Sequence, residues 1–188
     1  RGHLENERRH IASTTKIMTA FVVLKLAQAE PSVMEEIVTF STRADQTRGS
    51  SARIRTGEQL PVNELLYGLL LPSGNDASVA LAEHFGRRFA GPEGRPNAKD
   101  PLLRFVAEMN RTARALKMNA TTYENPHGLT AERHQSTPRD LLLLAHAAYK
   151  LPRFSHYVAT RQRGCTVVGT SGYRRHVVWK NTNRLLPL

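Results

Sequence analysis

Cysteine is almost missing from this 188-residue chain, which has only Cys165. One thiol excludes an internal disulfide framework, and with Thr166, Val167 and Val168 beside it the residue reads as a buried, inert strand thiol. No apolar run reaches membrane-spanning length. The chain opens at Arg1 without a Met or a charged-then-apolar leader, so a mature, trimmed or partial product is expected, and secretion and anchoring cannot be read from it. The 8 histidines include no H-E-x-x-H pattern and no close ligand cluster. No metal is therefore expected, and a lone His127 in a turn reads as structural. Without G-x-G-x-x-G or a P-loop, nucleotide binding has no support, and no cofactor is expected.

Acidic residues are also scarce, with 16 Asp and Glu against 27 Lys and Arg and a formal net charge of +11. That balance suits an anionic partner such as nucleic acid, an anionic wall polymer or a membrane surface. The basic residues are scattered, from Arg8 and Arg9 to Arg174, Arg175 and Arg184, with no stripe interleaved with aromatics. This argues against nucleic acid, while a diffuse positive surface can still draw in carboxylate-rich substrates. A hydrophobic fraction of 40% and a charged fraction of 23% describe a folded chain. Its length fits a single domain, 1–188.

Apolar spacing at Ile11, Ile17, Met18, Phe21, Val22, Leu24 and Leu26 predicts a helix over about 13–29, ended before Pro31. Residues 36–57 are short and β-like, at 37–40 and again at 52–54, which predicts small strands or an irregular loop. Pro61 opens a second apolar helix, interrupted by Pro72, Ser73 and Gly74 before another begins near Asn75. A Gly- and Pro-rich loop over 91–99 precedes a helix capped by Asp100, with Pro101 in its first turn and its end near Lys117. Asn125-Pro126-His127-Gly128 is a strong turn signal, and Thr137, Pro138 and Asp140 form a capped start for a helix through Tyr149. Residues 165–168 and 176–179 flank a turn over 170–173 as a hairpin. Helices first and a late hairpin give an α+β or mixed α/β domain.

In Ser13-Thr14-Thr15-Lys16 the i to i+3 spacing on a helix puts a hydroxyl and an amine on one face. A free serine is a weak nucleophile and needs an adjacent base. A partly buried lysine near other cationic groups can lose enough proton affinity to serve. S-x-x-K is common by chance, and taken alone it reads better as an N-capping Ser13 beside a solvated Lys16. Ser73-Gly74-Asn75 changes the odds. A second hydroxyl and an amide on a tight turn between apolar helices are poor choices for packing and good ones for a site. Taken alone, this motif is about evenly explained by a Ser73 cap and a solvated Asn75.

In their contexts, IASTTKIMTA and LLLPSGNDASVALAEH, the two motifs closely resemble the serine D-alanyl-D-alanine carboxypeptidases, the low-molecular-weight penicillin-binding proteins. The resemblance continues through ENPHGL (124–129), STPRDLLLLA (136–145) and NTNRLL (181–186) and covers nearly the whole chain. It implies a transpeptidase/β-lactamase-like fold, a helical cluster packed on an antiparallel sheet with the site in the cleft between them. It implies that Ser13 attacks the D-Ala-D-Ala carbonyl, Lys16 accepts its proton and water releases the acyl-enzyme. Ser73 would relay a proton to the departing D-alanine, Asn75 would orient Lys16 and bind the substrate amide, and the Ser13 N–H would be one oxyanion donor. The implied partners are peptidoglycan stem peptides, with β-lactams as covalent inhibitors, outside the cytoplasmic membrane.

The family's K-T-G triplet, which follows the NTNRLL-like segment on a strand and binds the terminal carboxylate, does not occur in this chain. The strands expected ahead of the Ser13 helix are missing too, so an incomplete sheet is expected. Losing one oxyanion donor typically costs ~10²–10³ in turnover. Two other readings stay open: a β-lactamase or esterase on the same scaffold, and a non-catalytic peptidoglycan- or β-lactam-binding domain. Asp140 reads as a helix-start carboxylate, and Asn181 and Asn183 as hydrogen-bonding residues at a strand end.

Overall fold

A helix that is apolar on all sides has no face to give to water and belongs at the centre of a fold. The computed structural model, which describes residues 3–186, shows this for α1 (Thr15–Ala29). It buries Met18, Ala20, Phe21, Val22, Val23, Leu24 and Ala27, and each of the larger side chains contributes about 1.5–3 kcal/mol on leaving water. Packed around it are α3 (Val62–Leu70), α4 (Asn75–Gly86), α5 (Pro101–Ala115), α6 (Pro138–Tyr149) and α7 (Pro152–Ala159). A short α2 (Thr42–Asp45) lies against α4.

Four antiparallel strands, in the order β2 (Ile37–Thr39), β3 (Gln59–Pro61), β5 (Gln162–Val168) and β6 (Arg174–Lys180), make the main sheet. The β5–β6 hairpin is in register from Gln162 opposite Lys180 to Val168 opposite Arg174. It joins β3 through Gln59 opposite Val168. Cys165, Val167, Val177 and Trp179 alternate inward along the hairpin, the period of 2 that a one-sided sheet requires. Trp179 lies on Gly68 of α3 and donates its indole N–H to the Ala52 carbonyl at 2.8 Å. The sheet is thereby fastened to the helices. Cys165 is buried as expected, and burial pushes its thiol up to about 12.

The expected caps are present. Asp100 accepts the Leu102 N–H at 3.0 Å and Thr137 accepts the Asp140 N–H at 3.2 Å. Asn181 closes the C-terminal end of α7 by donating to the Val158 and Thr160 carbonyls, while Asn183 accepts the Leu185 N–H.

The structure adds detail at four points. Ser13 is outside the α-helix, in a 3₁₀ turn over Ala12–Thr14 that follows Ala12 at φ 45°. Of the two readings for residues 52–54 the loop is the one observed, because Arg53 is left-handed at φ 61° and the Ala52 and Arg53 amides are committed to the Asp76 carboxylate. Helix α7 was not foreseen. Its eight residues bury Phe154 and Tyr157 behind Pro152, a stripe of a single turn that gives no readable period. Ahead of Ser13, β1 (Arg9–His10) pairs with β4 (Gln135–Ser136) in a separate two-stranded ladder.

Candidate active site

The 3₁₀ turn leaves Ser13 exposed to solvent, while Lys16, one turn on in α1, is only 2% exposed. Their side chains meet, with Lys16 Nζ 3.0 Å from Ser13 Oγ. Burial lowers the lysine to about 8, against the opposing pull of the Asp76 carboxylate. Desolvation wins because a buried ammonium loses its water shell and gains no directly paired carboxylate in return. About a tenth of the lysine is then neutral at pH 7, enough for a base poised near its working pH.

What orients the amine is backbone. Lys16 Nζ also donates to the His127 carbonyl at 2.8 Å. A neutral amine has two N–H groups and one lone pair, so spending an N–H on His127 helps leave the lone pair for the Ser13 hydroxyl. The 124–128 turn is held in place for this by Thr19, whose hydroxyl donates to the Pro126 carbonyl at 2.6 Å. Asn125 Oδ1 folds the turn on itself by accepting the Gly128 N–H at 2.7 Å. Gly128 is required twice over: it sits at φ 97°, and a Cβ there would lie 1.9 Å from the Ala12 carbonyl oxygen. The His127 ring accepts the Leu129 N–H at Nδ1 and is pushed down to about 4 by burial, then by Lys16 and His134. It therefore stays neutral beside Lys16.

The second wall is the turn between α3 and α4. Ser73 adopts φ 61°, a left-handed conformation that non-glycine residues rarely hold unless the surroundings fix it. Gly74 N–H bonds the Gly68 carbonyl at 3.1 Å, and a Cβ on Gly74 would come within 2.7 Å of both that oxygen and Asp76 Oδ1. Asn75 donates its backbone N–H to Ser50 O and its side-chain Nδ2 to Arg48 O, each at 2.7 Å. Asp76, fully buried, accepts from Ser51 Oγ and from the Ala52, Arg53 and Ala77 amides at 2.7–3.1 Å.

Of the four residues singled out from sequence, Ser13 and Lys16 are brought into direct contact. Ser73 and Asn75 stand on the turn that opens α4, and among the described residues no hydrogen bond joins either to Ser13 or Lys16. The two walls meet around Gly49, where a Cβ would lie 2.6 Å from Asn75 Nδ2 and 3.9 Å from Leu129 Cδ2. The contact orienting Lys16, assigned by resemblance to Asn75, is made by the His127 carbonyl. A backbone oxygen has no sequence signature, though the NPHG turn was visible. Asp76 was missed because its partners are 23–25 residues away in the chain.

Beside the Ser73 turn, Ser51, Ala52, Arg53, Pro72 and residues 175–180 of β6 enclose a groove of ≈ 570 Å³. Arg53, Arg175 and Lys180 make its lining basic. Among the described residues no three His, Cys, Asp or Glu side chains converge to hold a metal ion, and no helix is long and apolar enough to cross a membrane.

A helical cluster on an antiparallel sheet, with a serine on a buried lysine, defines the transpeptidase-like serine class. The family model described as D-alanyl-D-alanine carboxypeptidase matches residues 3–187, and the chain belongs to that family. A D-alanyl-D-alanine carboxypeptidase of Streptomyces sp. (strain K15) is 36% identical over 95% of this chain and 60% of its own length. The D-alanyl-D-alanine carboxypeptidase DacF of Bacillus subtilis (strain 168) is 34% identical over 82% of this chain and 36% of its own length. The crystal structure of the Streptomyces K15 DD-transpeptidase superposes with a TM-score of 0.83 at 35% identity, over 97% of this chain and 68% of that one. The chain thus spans less than two thirds of the length of each of the two curated relatives.

Proposed function

We propose that this chain carries the serine centre of a D,D-carboxypeptidase that removes the terminal D-alanine from peptidoglycan stem peptides outside the cytoplasmic membrane. The observation that carries this reading is the 3.0 Å contact between exposed Ser13 Oγ and a buried Lys16 whose proton affinity is lowered to about 8.

In this mechanism neutral Lys16 takes the Ser13 hydroxyl proton as Oγ attacks the penultimate carbonyl, forming a C–O bond and placing the negative charge on the carbonyl oxygen. The Ser13 N–H, in the 3₁₀ turn ahead of α1 where amides lack intrahelical acceptors, receives that charge. As the C–N bond breaks, Ser73 passes the proton from Lys16 to the leaving nitrogen, and D-alanine departs. Water then attacks the ester and returns Ser13. Asn75 holds the substrate amide from the second wall. The relatives' names divide between carboxypeptidase and transpeptidase, which on this mechanism differ only in whether water or an amine accepts the acyl group. The basic groove along β6 suits the carboxylates of a stem peptide.

The test is intact-protein mass after incubation with a penicillin, beside Ser13→Ala. A β-lactam is a strained amide, so attack by Ser13 opens the ring and leaves one covalent adduct, which Ser13→Ala lacks. A stable adduct supports the carboxypeptidase, an adduct that hydrolyses rapidly supports a β-lactamase, and no adduct on Ser13 overturns both.

A further inference from the structure

Between the Ser13 turn and the loop that orients Lys16 lies a histidine with no part in the steps above. His134 is 1% exposed. Its Nε2 is 2.7 Å from Thr15 Oγ1, and its Nδ1 accepts the Glu124 N–H at 3.1 Å. A backbone amide can only donate, so the one proton of the ring must sit on Nε2, where it is given to Thr15. A second proton on Nδ1 would face the Glu124 donor, and the geometry thus fixes both tautomer and charge. Burial pushes the ring the same way, toward the neutral form.

The two ends of this bridge matter more than the ring. Thr15 precedes Lys16 in the first turn of α1. Glu124 opens the loop whose His127 carbonyl takes a Lys16 N–H. We propose that His134 is a positioning residue that pins the 124–128 loop to the start of α1, holding the His127 carbonyl on Lys16 and keeping water off the amine. This rests on the lysine-base reading given above. Without the pin the loop keeps its own turn, the Arg133 bonds to Glu124 and the Asn110 bonds to Tyr123, but of its remaining anchors only Thr19 and Lys16 itself tie it to α1, and it lifts enough to wet Lys16. Since burial is the largest cause of the lowered lysine, wetting returns Lys16 toward its ordinary value and empties the base form at neutral pH. Asp76 of α4 and the His127 ring are the titratable groups facing Lys16. Around His134 are His10 of β1, Glu124 and His127 of the loop, and the edge-on ring of Tyr123 at 5.7 Å.

The experiment is a direct NMR titration of Lys16 in the unliganded chain carrying ¹³C-labelled lysine, with penicillin acylation measured on the same samples. His134→Asn keeps an acceptor for Glu124 and cannot reach Thr15, while Thr15→Val keeps the shape and removes the hydroxyl. Each should raise the Lys16 midpoint by about one unit, a roughly tenfold loss of neutral amine at a given pH. Thr15→Ser should keep the original midpoint, and the double variant should shift no further than either single one, because both break the same bridge. A merely structural role would lower the melting temperature and leave the midpoint of the folded molecules where it was. Folded variants with an unmoved midpoint, or two shifts that add in full, overturn the proposal; if His134→Asn does not fold, Thr15→Val and its serine counterpart decide. An original chain that is never acylated, with the midpoint shifts intact, would instead sink the D,D-carboxypeptidase reading and leave the pin standing.

Discussion

The two walls of the site are fastened by opposite chemistry. The Ser13 wall is tied to α1 by neutral partners: carbonyls at Pro126 and His127, and the imidazole of His134. The Ser73 wall is built on a buried carboxylate, Asp76, with four donors aimed at it. A carboxylate paired directly with Lys16 would restore the proton affinity that burial removes. Asp76 is near enough to raise the lysine and too well occupied to pair with it. The difference shows how a fold anchors two loops beside one buried amine without restoring its proton affinity: the carboxylate is kept on the wall that makes no direct hydrogen bond to Lys16.

The sharpest way to break this comparison is at the base. Lys16→Ala should slow penicillin acylation by ~10²–10⁴, and Lys16→Arg should not rescue it, since a guanidinium stays protonated. Next is the neutral wall. Gly128→Ala forces a Cβ toward the Ala12 carbonyl and should cost up to about a hundredfold in acylation rate through misplacement of the turn, with circular dichroism reporting an intact fold. Asp76→Asn should separate the two roles of the charged wall. It leaves donors facing a donor and should destabilise by about 1–3 kcal/mol in urea. Yet it should move the rise of acylation with pH to below about 8, because the carboxylate that raised Lys16 is gone.

The smallest effect is expected away from the site, at Glu58. Burial works against its ionisation, but Arg175, the Arg55 amide and Tyr173 outweigh burial and hold it down to about 2. A depressed carboxylate contributes stability that is complete above its unfolded value and is lost as pH falls through its folded one. Urea stability should therefore decline between about pH 4.5 and 2, and Glu58→Gln should flatten that decline. An unchanged slope would show that the carboxylate is held as tightly in the unfolded chain.

What could be read from the sequence follows the range of the interactions. Ser13 and Lys16 lie three residues apart and Asp100 caps an amide two residues away, so local spacing contains the answer. The hairpin was legible for the same reason, because its two arms alternate around a short turn. Residues 52–54 look like a strand when read alone, since Ala52, Arg53 and Ile54 alternate. The Ala52 and Arg53 amides are taken by a carboxylate of α4, and no local window contains that competition. The His127 carbonyl and the His134 bridge were hidden for a related reason. Each connects α1 to a segment more than a hundred residues away, and one of them uses an atom every residue has.

Trp179 is the only tryptophan in the chain, and its position makes it an intrinsic optical reporter. The indole is bonded to Ala52, next to the amides that Asp76 holds. Its emission therefore follows one event in particular, the seating of the hairpin on the segment that braces the Ser73 turn. Tyr173, in the hairpin turn, donates to Glu58 and changes in the same event, while Tyr123 and Tyr149 lie in a loop and in α6. A red shift of the tryptophan that precedes loss of the helical circular-dichroism signal would reveal the hairpin lifting from an otherwise folded molecule, without a label or an engineered probe.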